Sequence, residues 1–396
     1  MQGASRRHYL DHASTTPLRR SAALAVASWA QSAGRGGGVG DPGRVHAEGQ
    51  AARAALEDAR ERVASLLRCA AARVVFTSGA TEAANTAVLS AAAERPGQPI
   101  VAAGVEHSCV LQAARRAGIL LDLAVGTHGT VDLGRLEELL AGPELPALVN
   151  CQWANHEVGT VQPVTEAILL CRERGVPVHV DAACAVGHVP VDLSVLDADF
   201  VSVSSHKLGG PPGIGALVVR RGVRLRPLLV GGAEERGRRA GGENVLGAVG
   251  FGAAAEELAT SGTLAREMEE ATRATGRILE AAAAMGGVMV LGERQPAGRL
   301  PHIVCFGIDG VLGEGVLIAL DRAGISVHSG SACSSEVLEP SPVLAAMGAD
   351  PDSSLRVSVG WSTTDGDVDA LVSELPRVVA RLRSLGKGRT GPRQAG

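Results

Sequence analysis

Lys207 lies between a β-branched run, "VSVSS", and a turn rich in glycine and proline, "LGGPPGIG". A lysine at the end of a strand is most often solvated, and for Lys207 alone this is the simpler interpretation. An unprotonated lysine amine can instead form a Schiff base with a carbonyl compound. Burial near another cationic group lowers the pKa of a lysine, so we expect a lowered pKa if Lys207 has this role.

Other candidate site residues follow predicted strands in the same way. They are Ala80 and Thr81 after "VVFTSG", His107 after "VAAGVE", Asp181 after "VPVHV", and Ser204, Ser205 and His206 beside Lys207. In an open parallel sheet, ligands bind beyond the carboxyl ends of the strands, so we expect these residues to face one crevice.

Together these residues match the needs of pyridoxal 5′-phosphate (PLP). The cofactor requires a lysine for its Schiff base and an acid beside its ring nitrogen, here Lys207 and Asp181. The first turn of a helix that begins near Thr81 suits a phosphate, because its N–H groups are free. Taken singly, each residue has a simpler explanation: Thr81 as a helix cap, Asp181 as a loop residue, and His107 and His206 as satisfied histidines.

The arrangement of predicted elements supports an α/β fold. Between about residues 50 and 220, short apolar runs alternate with helical patterns, which predicts a mainly parallel sheet covered by helices. A helical segment over roughly 252–285 then leads to runs such as "PHIVCFGID" and "SLRVSVGW", which indicate a smaller α+β domain. With 396 residues the chain is long enough for two domains.

Composition excludes several other classes of protein. The net charge is −4, and three Trp, one Tyr and four Phe offer little to stack on bases, so we expect no nucleic-acid partner. The N-terminus has no apolar core of signal-peptide length, and no later run reaches the length of a membrane span, so we expect a cytoplasmic protein without a membrane partner. The seven cysteines lack zinc spacing, and we predict no metal site.

The ordered motifs resemble those of cysteine desulfurases of the NifS/IscS type, which are class V aminotransferases of the fold type I PLP-dependent transferases. The likeness runs from "YLDHASTTP" to "SLRVSVGWSTTDGD" and includes "FTSGATE", "EHSCVL", "EVGTVQP", "HVDAA", "SHKLGGPPGIGAL", "GGENV" and "HSGSACSS". It therefore covers almost the full length of the chain.

The resemblance implies a role for each matching residue. Lys207 would hold the cofactor, Asp181 would pair with its ring nitrogen, and His107 would stack on the ring and shuttle protons. Its phosphate would be bound by Ala80, Thr81, Ser204 and His206. Arg356 would bind the substrate carboxylate, and Cys333, in a loop of small residues, would be the nucleophile that accepts sulfur.

The chain departs from the family pattern at several cofactor contacts. His156 stands in place of an asparagine that contacts the ring, and Cys184 in place of a glutamine that bonds the phenolic oxygen. Gly242 replaces a threonine that reaches the phosphate of the partner subunit, and the family's N-P-S-S-x-H segment reads "DPGRVH". We therefore expect a divergent member whose PLP contacts are weaker.

The leading functional hypothesis is removal of sulfur from L-cysteine, giving L-alanine and a persulfide on Cys333 for an acceptor protein or scaffold. Two alternatives remain open: a related PLP-dependent C–S or C–Se lyase or another class V enzyme, and a catalytically weakened scaffold. The pathway served, whether iron–sulfur cluster assembly, tRNA thiolation or another, is also open. The resemblance implies a homodimer, a large domain over 15–255, a small domain over 1–14 and 256–386, and we expect a disordered tail over 387–396.

Overall fold

The computed structural model describes residues 7–33, 37–329 and 340–387, with side chains up to residue 385. Cys333 and all but the first residue of the predicted tail lie outside this range. No helix among the described residues is both long and apolar enough to cross a membrane.

Seven strands form the central sheet in the order β2-β8-β7-β6-β5-β3-β4. Their bounds are β2 Val74–Thr77, β3 Ile100–Ala103, β4 Leu120–Leu123, β5 Leu148–Asn150, β6 Val178–Asp181, β7 Phe200–Ser204 and β8 Gly215–Val219. Only β8 runs antiparallel to its neighbours, β2 and β7. Every residue of β2, β3, β5, β6, β7 and β8 is buried, as expected when helices cover both faces of a parallel sheet.

Two smaller sheets lie outside the central one. An antiparallel sheet has the order β12-β10-β9, from Ser354–Ser358, Ile303–Ile308 and Val288–Leu291. A parallel pair joins β1, His8–Tyr9, to β11, Ile325–Ser326, so the start of the chain pairs with the region near its end. These sheets share a second apolar core that includes Phe306 and Leu355. The mixed α/β fold predicted from the sequence is confirmed, whereas the domain boundaries remain predictions.

Helices connect the strands and cover the sheets. They are α1 Arg20–Gln31, α2 Ala47–Leu66, α3 Ala80–Glu94, α4 Ser108–Ala117, α5 Leu133–Ala141, α6 Val164–Glu173, α7 Glu234–Gly237, α8 Val245–Ala259, α9 Thr263–Ala283, α10 Gly313–Arg322, α11 Pro342–Ala346 and α12 Asp365–Lys387. The prediction of one helical segment over 252–285 was wrong, because α8 ends at Ala259 and α9 begins at Thr263. Between them Gly262 adopts φ +85°, a left-handed conformation that interrupts the helical path.

A short segment around α7 is held by a buried ion pair. Glu235 and Arg236 both have left-handed backbone, with φ 48° and 61°. Arg60 donates two hydrogen bonds to the Glu235 carboxylate, at 2.7 and 2.8 Å. The Phe76 amide donates a third, at 3.0 Å. These contacts offset the strain of the left-handed residues and attach the segment to β2.

Candidate active site

A cavity of about 550 Å³ opens at one edge of the central sheet. The strands β2, β3, β5, β6 and β7 are mutually parallel, so their carboxyl ends meet at this edge. Predicted residues that line the cavity are Ala80, Thr81, His107, His156, Asp181, Cys184, Ser204, His206, Lys207 and Arg356. The topology therefore brings together ten of the residues singled out in the sequence.

Lys207 projects into the cavity and contacts Cys184. Its Nζ atom donates a hydrogen bond to the Cys184 sulfur at 3.1 Å. Burial lowers the pKa of Lys207, but Cys184 and the Asp181 carboxylate outweigh burial and raise this pKa above its ordinary value. The expectation of a lowered pKa was therefore wrong, because acidic groups rather than cationic ones dominate the surroundings of the amine.

Asp181 ends strand β6 and presents one carboxylate oxygen to the protein. Its Oδ1 atom accepts hydrogen bonds from the Ala183 amide at 3.0 Å and the Ser202 hydroxyl at 3.1 Å. Among the described residues, no donor bonds to the Oδ2 atom. One oxygen is thus fixed by the sheet while the other remains for a cationic group in the cavity.

His107 caps helix α4 at the cavity wall. Its Nδ1 atom accepts a hydrogen bond from the Cys109 amide at 3.2 Å and lies 3.0 Å from the Cys109 sulfur. Nδ1 is therefore unprotonated in the neutral ring, and the proton resides on Nε2. Burial and the nearby Lys207 amine lower the pKa of His107, which keeps the ring neutral.

His156 lies against His107 with an edge-to-face ring contact. The ring centroids are 5.1 Å apart and the planes are inclined by 67°. Burial, together with the nearby His107 ring and Lys207 amine, lowers the pKa of His156 well below its ordinary value. The two rings form a neutral aromatic wall against which a flat ligand can pack.

Hydrogen-bond donors that suit a phosphate also line the cavity. Helix α3 begins at Ala80 after Gly79, and no side chain caps its first N–H groups. Ser204 ends β7, and the His206 Nδ1 atom lies 3.1 Å from the Thr15 hydroxyl. Uncapped helix N–H groups, a serine hydroxyl and an imidazole together provide the donors that an anion requires.

Arg356 lies at the cavity on strand β12 and is almost fully buried. Its guanidinium donates to the His156 carbonyl at 2.8 Å, to Asp11 at 2.8 Å and to Ser14 at 2.6 Å. Its buried Nε atom has no hydrogen-bond partner among the described residues. An unsatisfied guanidinium N–H at a cavity wall is suited to a carboxylate ligand.

The structure does not place every predicted site residue in the cavity. Gly242 is exposed on the segment after α7 and does not line it, and Cys333 lies outside the described residues. Other residues that line the cavity had no role assigned from the sequence, among them Ala13, Ser14, Thr15, Cys109 and Gln152. Cys109 belongs to the quoted "EHSCVL" motif, which was the available signal for it.

The residues of the cavity fit PLP. An amine, a carboxylate with one uncommitted oxygen, a neutral aromatic wall and a set of phosphate donors face one space. The departures at 156 and 184 leave this set intact, because neither residue supplies the amine or the carboxylate. The donor chemistry therefore agrees with the cofactor predicted from the sequence.

Comparisons with known proteins agree with the geometry. Residues 8–371 match the aminotransferase class-V family. The chain is 37% identical to cysteine desulfurase IscS 1 of Archaeoglobus fulgidus, over 95% of this chain and 98% of that one. It is 38% identical to an IscS-like cysteine desulfurase of Mycobacterium tuberculosis, over 95% of this chain and 97% of the other.

Solved structures lead to the same family. A NifS-like protein from Rickettsia africae superposes with a TM-score of 0.86 at 26% identity, covering 95% of this chain and all of the other. SspA, solved in complex with cysteine, superposes with a TM-score of 0.75 at 26% identity, covering 89% of this chain and 99% of the other. The resemblance inferred from the motifs is confirmed, and the chain belongs to the class-V aminotransferase family, among the cysteine desulfurases.

Proposed function

We propose that this chain binds PLP and removes sulfur from L-cysteine, releasing L-alanine and leaving a persulfide on Cys333. Enzymes of this family are PLP-dependent. The observation that carries the proposal is the meeting of Lys207, Asp181, His107 and Arg356 in one cavity. The cysteine bound in the SspA structure supports the choice of substrate.

The contacts of each residue support a role. Lys207 would carry the Schiff base of bound PLP, and the Asp181 carboxylate would pair with its protonated ring nitrogen. The α3 N-terminus, Ser204 and His206 would bind the phosphate, and Arg356, whose guanidinium Asp11 orients at 2.8 Å, would bind the substrate carboxylate.

Bound PLP supplies an electron-withdrawing ring that lets the α-carbon of the substrate lose its proton. His107 is placed to move protons at the cavity, because its neutral ring carries one proton on Nε2 while Cys109 fixes Nδ1. Cys333 takes the sulfur atom as a thiolate nucleophile and passes it to an acceptor protein.

We also propose that the active form is a two-fold homodimer. The exposed segment that contains Gly242 would then approach the phosphate site of the partner subunit. Its ion pair between Arg60 and Glu235 fixes the backbone that presents this segment.

The experiment is release of alanine and sulfide from L-cysteine by purified protein with added PLP. We expect activity in the wild type and in Cys69→Ala, a half-buried cysteine outside the cavity. Cys333→Ala should retain the visible absorption of bound PLP but lose sulfide and persulfide formation. Lys207→Ala should lack the visible absorption band of the Schiff base, which borohydride removes from the wild type.

Two outcomes would refute the proposal. A colourless protein that takes up no PLP even at high concentration would exclude the cofactor and favour a scaffold. Alanine production at the wild-type rate by Cys333→Ala would exclude sulfur transfer through that thiol and favour a lyase, in which the cofactor alone breaks the bond.

A further inference from the structure

A continuous chain of buried side chains runs beneath the cavity from strand β5 to Asp181. The His179 Nδ1 atom lies 2.9 Å from the Asn150 Oδ1 atom, and its Nε2 atom lies 3.1 Å from the Ser202 hydroxyl. The same hydroxyl lies 3.1 Å from the Asp181 Oδ1 atom. Asn150, His179 and Ser202 are each fully buried.

Strand register explains why these four residues meet. Asn150 on β5 pairs with His179 on β6, and Asp181 on β6 pairs with Ser202 on β7. His179 and Asp181 are two residues apart, so their side chains point to the same face of the sheet. The chain of contacts therefore crosses three central strands.

The hydrogen-bond partners determine which side-chain atoms in this chain of contacts carry most of the protons. The Asn150 amide nitrogen donates to the Val101 carbonyl at 3.1 Å, so its oxygen faces His179 and accepts from Nδ1–H. The Nε2 atom of a neutral His179 is then an acceptor. An ionised Asp181 is also an acceptor, so the single hydroxyl proton of Ser202 lies between two acceptors and can satisfy only one.

One additional proton satisfies both contacts. If that proton is on Nε2, His179 donates to Ser202 and Ser202 donates to Asp181. If it is on the Asp181 Oδ1 atom, the direction of both hydrogen bonds reverses. Transfer between these states breaks the Nε2–H bond and forms a new O–H bond at Ser202, while the original hydroxyl proton moves to Asp181.

We propose that Asn150, His179 and Ser202 form a buried proton relay that sets the charge of Asp181. His179 and Ser202 are positioning residues, since they act on the cavity only through Asp181. For the reaction, this role rests on the proposed function: Asp181 holds the ring-nitrogen proton of PLP only while its carboxylate is ionised. Below about pH 4, where His179 takes up the additional proton, the relay stabilises that carboxylate when the proton is on His179 and neutralises it when the proton moves to Asp181. Above that pH the network lacks the additional proton.

Charged groups around the relay leave Asp181 as its main electrostatic partner. Burial lowers the pKa of His179 to about 4, and the Asp181 carboxylate raises it in opposition. Burial and Asp181 raise the pKa of Glu106 to about 8, so Glu106 is neutral at pH 7. The Lys207 amine, charged at neutral pH, interacts with Asp181 from the cavity side. The Ser202 hydroxyl is the hydrogen-bonded link between His179 and this carboxylate.

The test is a pH titration of the full chain by NMR, before and after addition of PLP, with labelled histidine rings and aspartate carboxylates. The variants His179→Gln and Asp181→Asn assign the two resonances. In the wild type without PLP, we expect the His179 Nε2 and Asp181 carboxylate resonances to change with one shared midpoint. In Ser202→Ala, which removes the connecting hydroxyl, the two midpoints should separate by about one pH unit or more.

Ser90→Ala is the matched control, because it removes another buried serine hydroxyl that is not part of the relay and that accepts from the Arg226 amide. It should keep the shared midpoint. Separate midpoints in the wild type, or a shared midpoint that persists in Ser202→Ala, would overturn the relay. The wild-type spectra decide the proposal even if Ser202→Ala does not fold.

The two proposals fail in distinguishable ways. If the wild type shows the shared midpoint but takes up no PLP, the relay stands and the proposed function fails. If it takes up PLP but shows separate midpoints, the proposed function stands and the relay fails.

Discussion

The Nζ atom of Lys207 lies 3.1 Å from the Sγ atom of Cys184, inside the cavity at the carboxyl edge of the central sheet. The residue that the family motif places at 184 is a glutamine, so a sulfur atom here contacts the amine directly. Because a thiol is a weaker hydrogen-bond donor than an amide, this contact changes both the amine and the surroundings of a bound ring.

Replacing Cys184 with alanine should lower the pKa of Lys207. The sulfur raises this pKa against the opposing effect of burial, so its removal leaves burial less opposed. The pH dependence of Lys207 modification by an amine-reactive reagent should shift its midpoint to lower pH. Mass spectrometry of protein without PLP measures this modification. Cys109→Ala removes another cavity cysteine and should leave the midpoint unchanged. Identical midpoints in Cys184→Ala and the wild type would contradict the prediction.

Cys184→Gln should alter the pH at which the visible absorption of bound PLP changes form. Glutamine donates a stronger hydrogen bond than a thiol to an acceptor on the ring, so the balance between protonated forms should shift. The measurement is an absorption titration of the loaded protein. A curve that superimposes on the wild-type curve would refute a ring contact at 184.

Glu106→Gln should stabilise the protein at alkaline pH but not at acidic pH. Burial and Asp181 raise the pKa of Glu106 from 4.5 to about 8. The stability that depends on this carboxyl is therefore fully present below pH 4.5 and is lost as the pH rises through about 8. Glutamine keeps the shape and cannot ionise, so the free energy of unfolding at pH 9 should increase by roughly a few kcal/mol.

Urea unfolding at pH 5 and pH 9 measures this effect. Glu94→Gln changes a partly exposed surface carboxyl that pairs with Arg226 and serves as the control, with a small effect at both values. If the two free energies for Glu106→Gln differ from those of the wild type by the same amount at both pH values, Glu106 does not titrate as stated.

Arg356→Lys should reduce kcat/KM for L-cysteine by about ten-fold to a hundred-fold, because an ammonium cannot reproduce the fork of a guanidinium. It would also lose contacts to Asp11 and the His156 carbonyl. Steady-state kinetics measure the change, and PLP affinity should remain within a few-fold. Unchanged kcat/KM would show that Arg356 does not bind the substrate carboxylate.

Gly242→Thr should tighten PLP binding by about ten-fold or more if this segment completes a phosphate site across the dimer. A Cβ atom at 242 meets no atom within 4 Å, so the protomer accommodates the side chain. Equilibrium PLP titration measures the affinity, and Gly276→Thr, at another open glycine position, serves as the control. Equal affinities would show that the segment does not reach the cofactor.

Much of the site was predictable from sequence because it depends on strand ends. Buried β-branched runs indicate β2, β3, β5, β6 and β7, and the rule that parallel strands share one carboxyl edge brings Thr81, His107, Asp181 and Lys207 together. The strand β4 was not predicted, because Asp122 interrupts its short apolar run.

Other features depend on distances between segments that are remote along the chain. The pKa of Lys207 rises because Cys184, which is 23 residues away, approaches its amine. The pairing of Arg356 with Asp11 joins residues 345 positions apart. No local pattern encodes these contacts: the first joins residues that follow the neighbouring strands β6 and β7, and the second forms where Asp11 pairs beside strand β12.

The sequence by itself determined the residue types, their order and the strands that carry them, because hydrophobic periodicity and turn residues act over a few positions. Only the tertiary structure determined the register of the strands, and that register brings the relay residues together. A shift of one residue between β6 and β7 would move Ser202 from Asp181 to the opposite face of the sheet. The contact between Ser202 and Asp181 therefore depends on cross-strand pairing, whose energy comes from burial of the whole sheet rather than from any single residue.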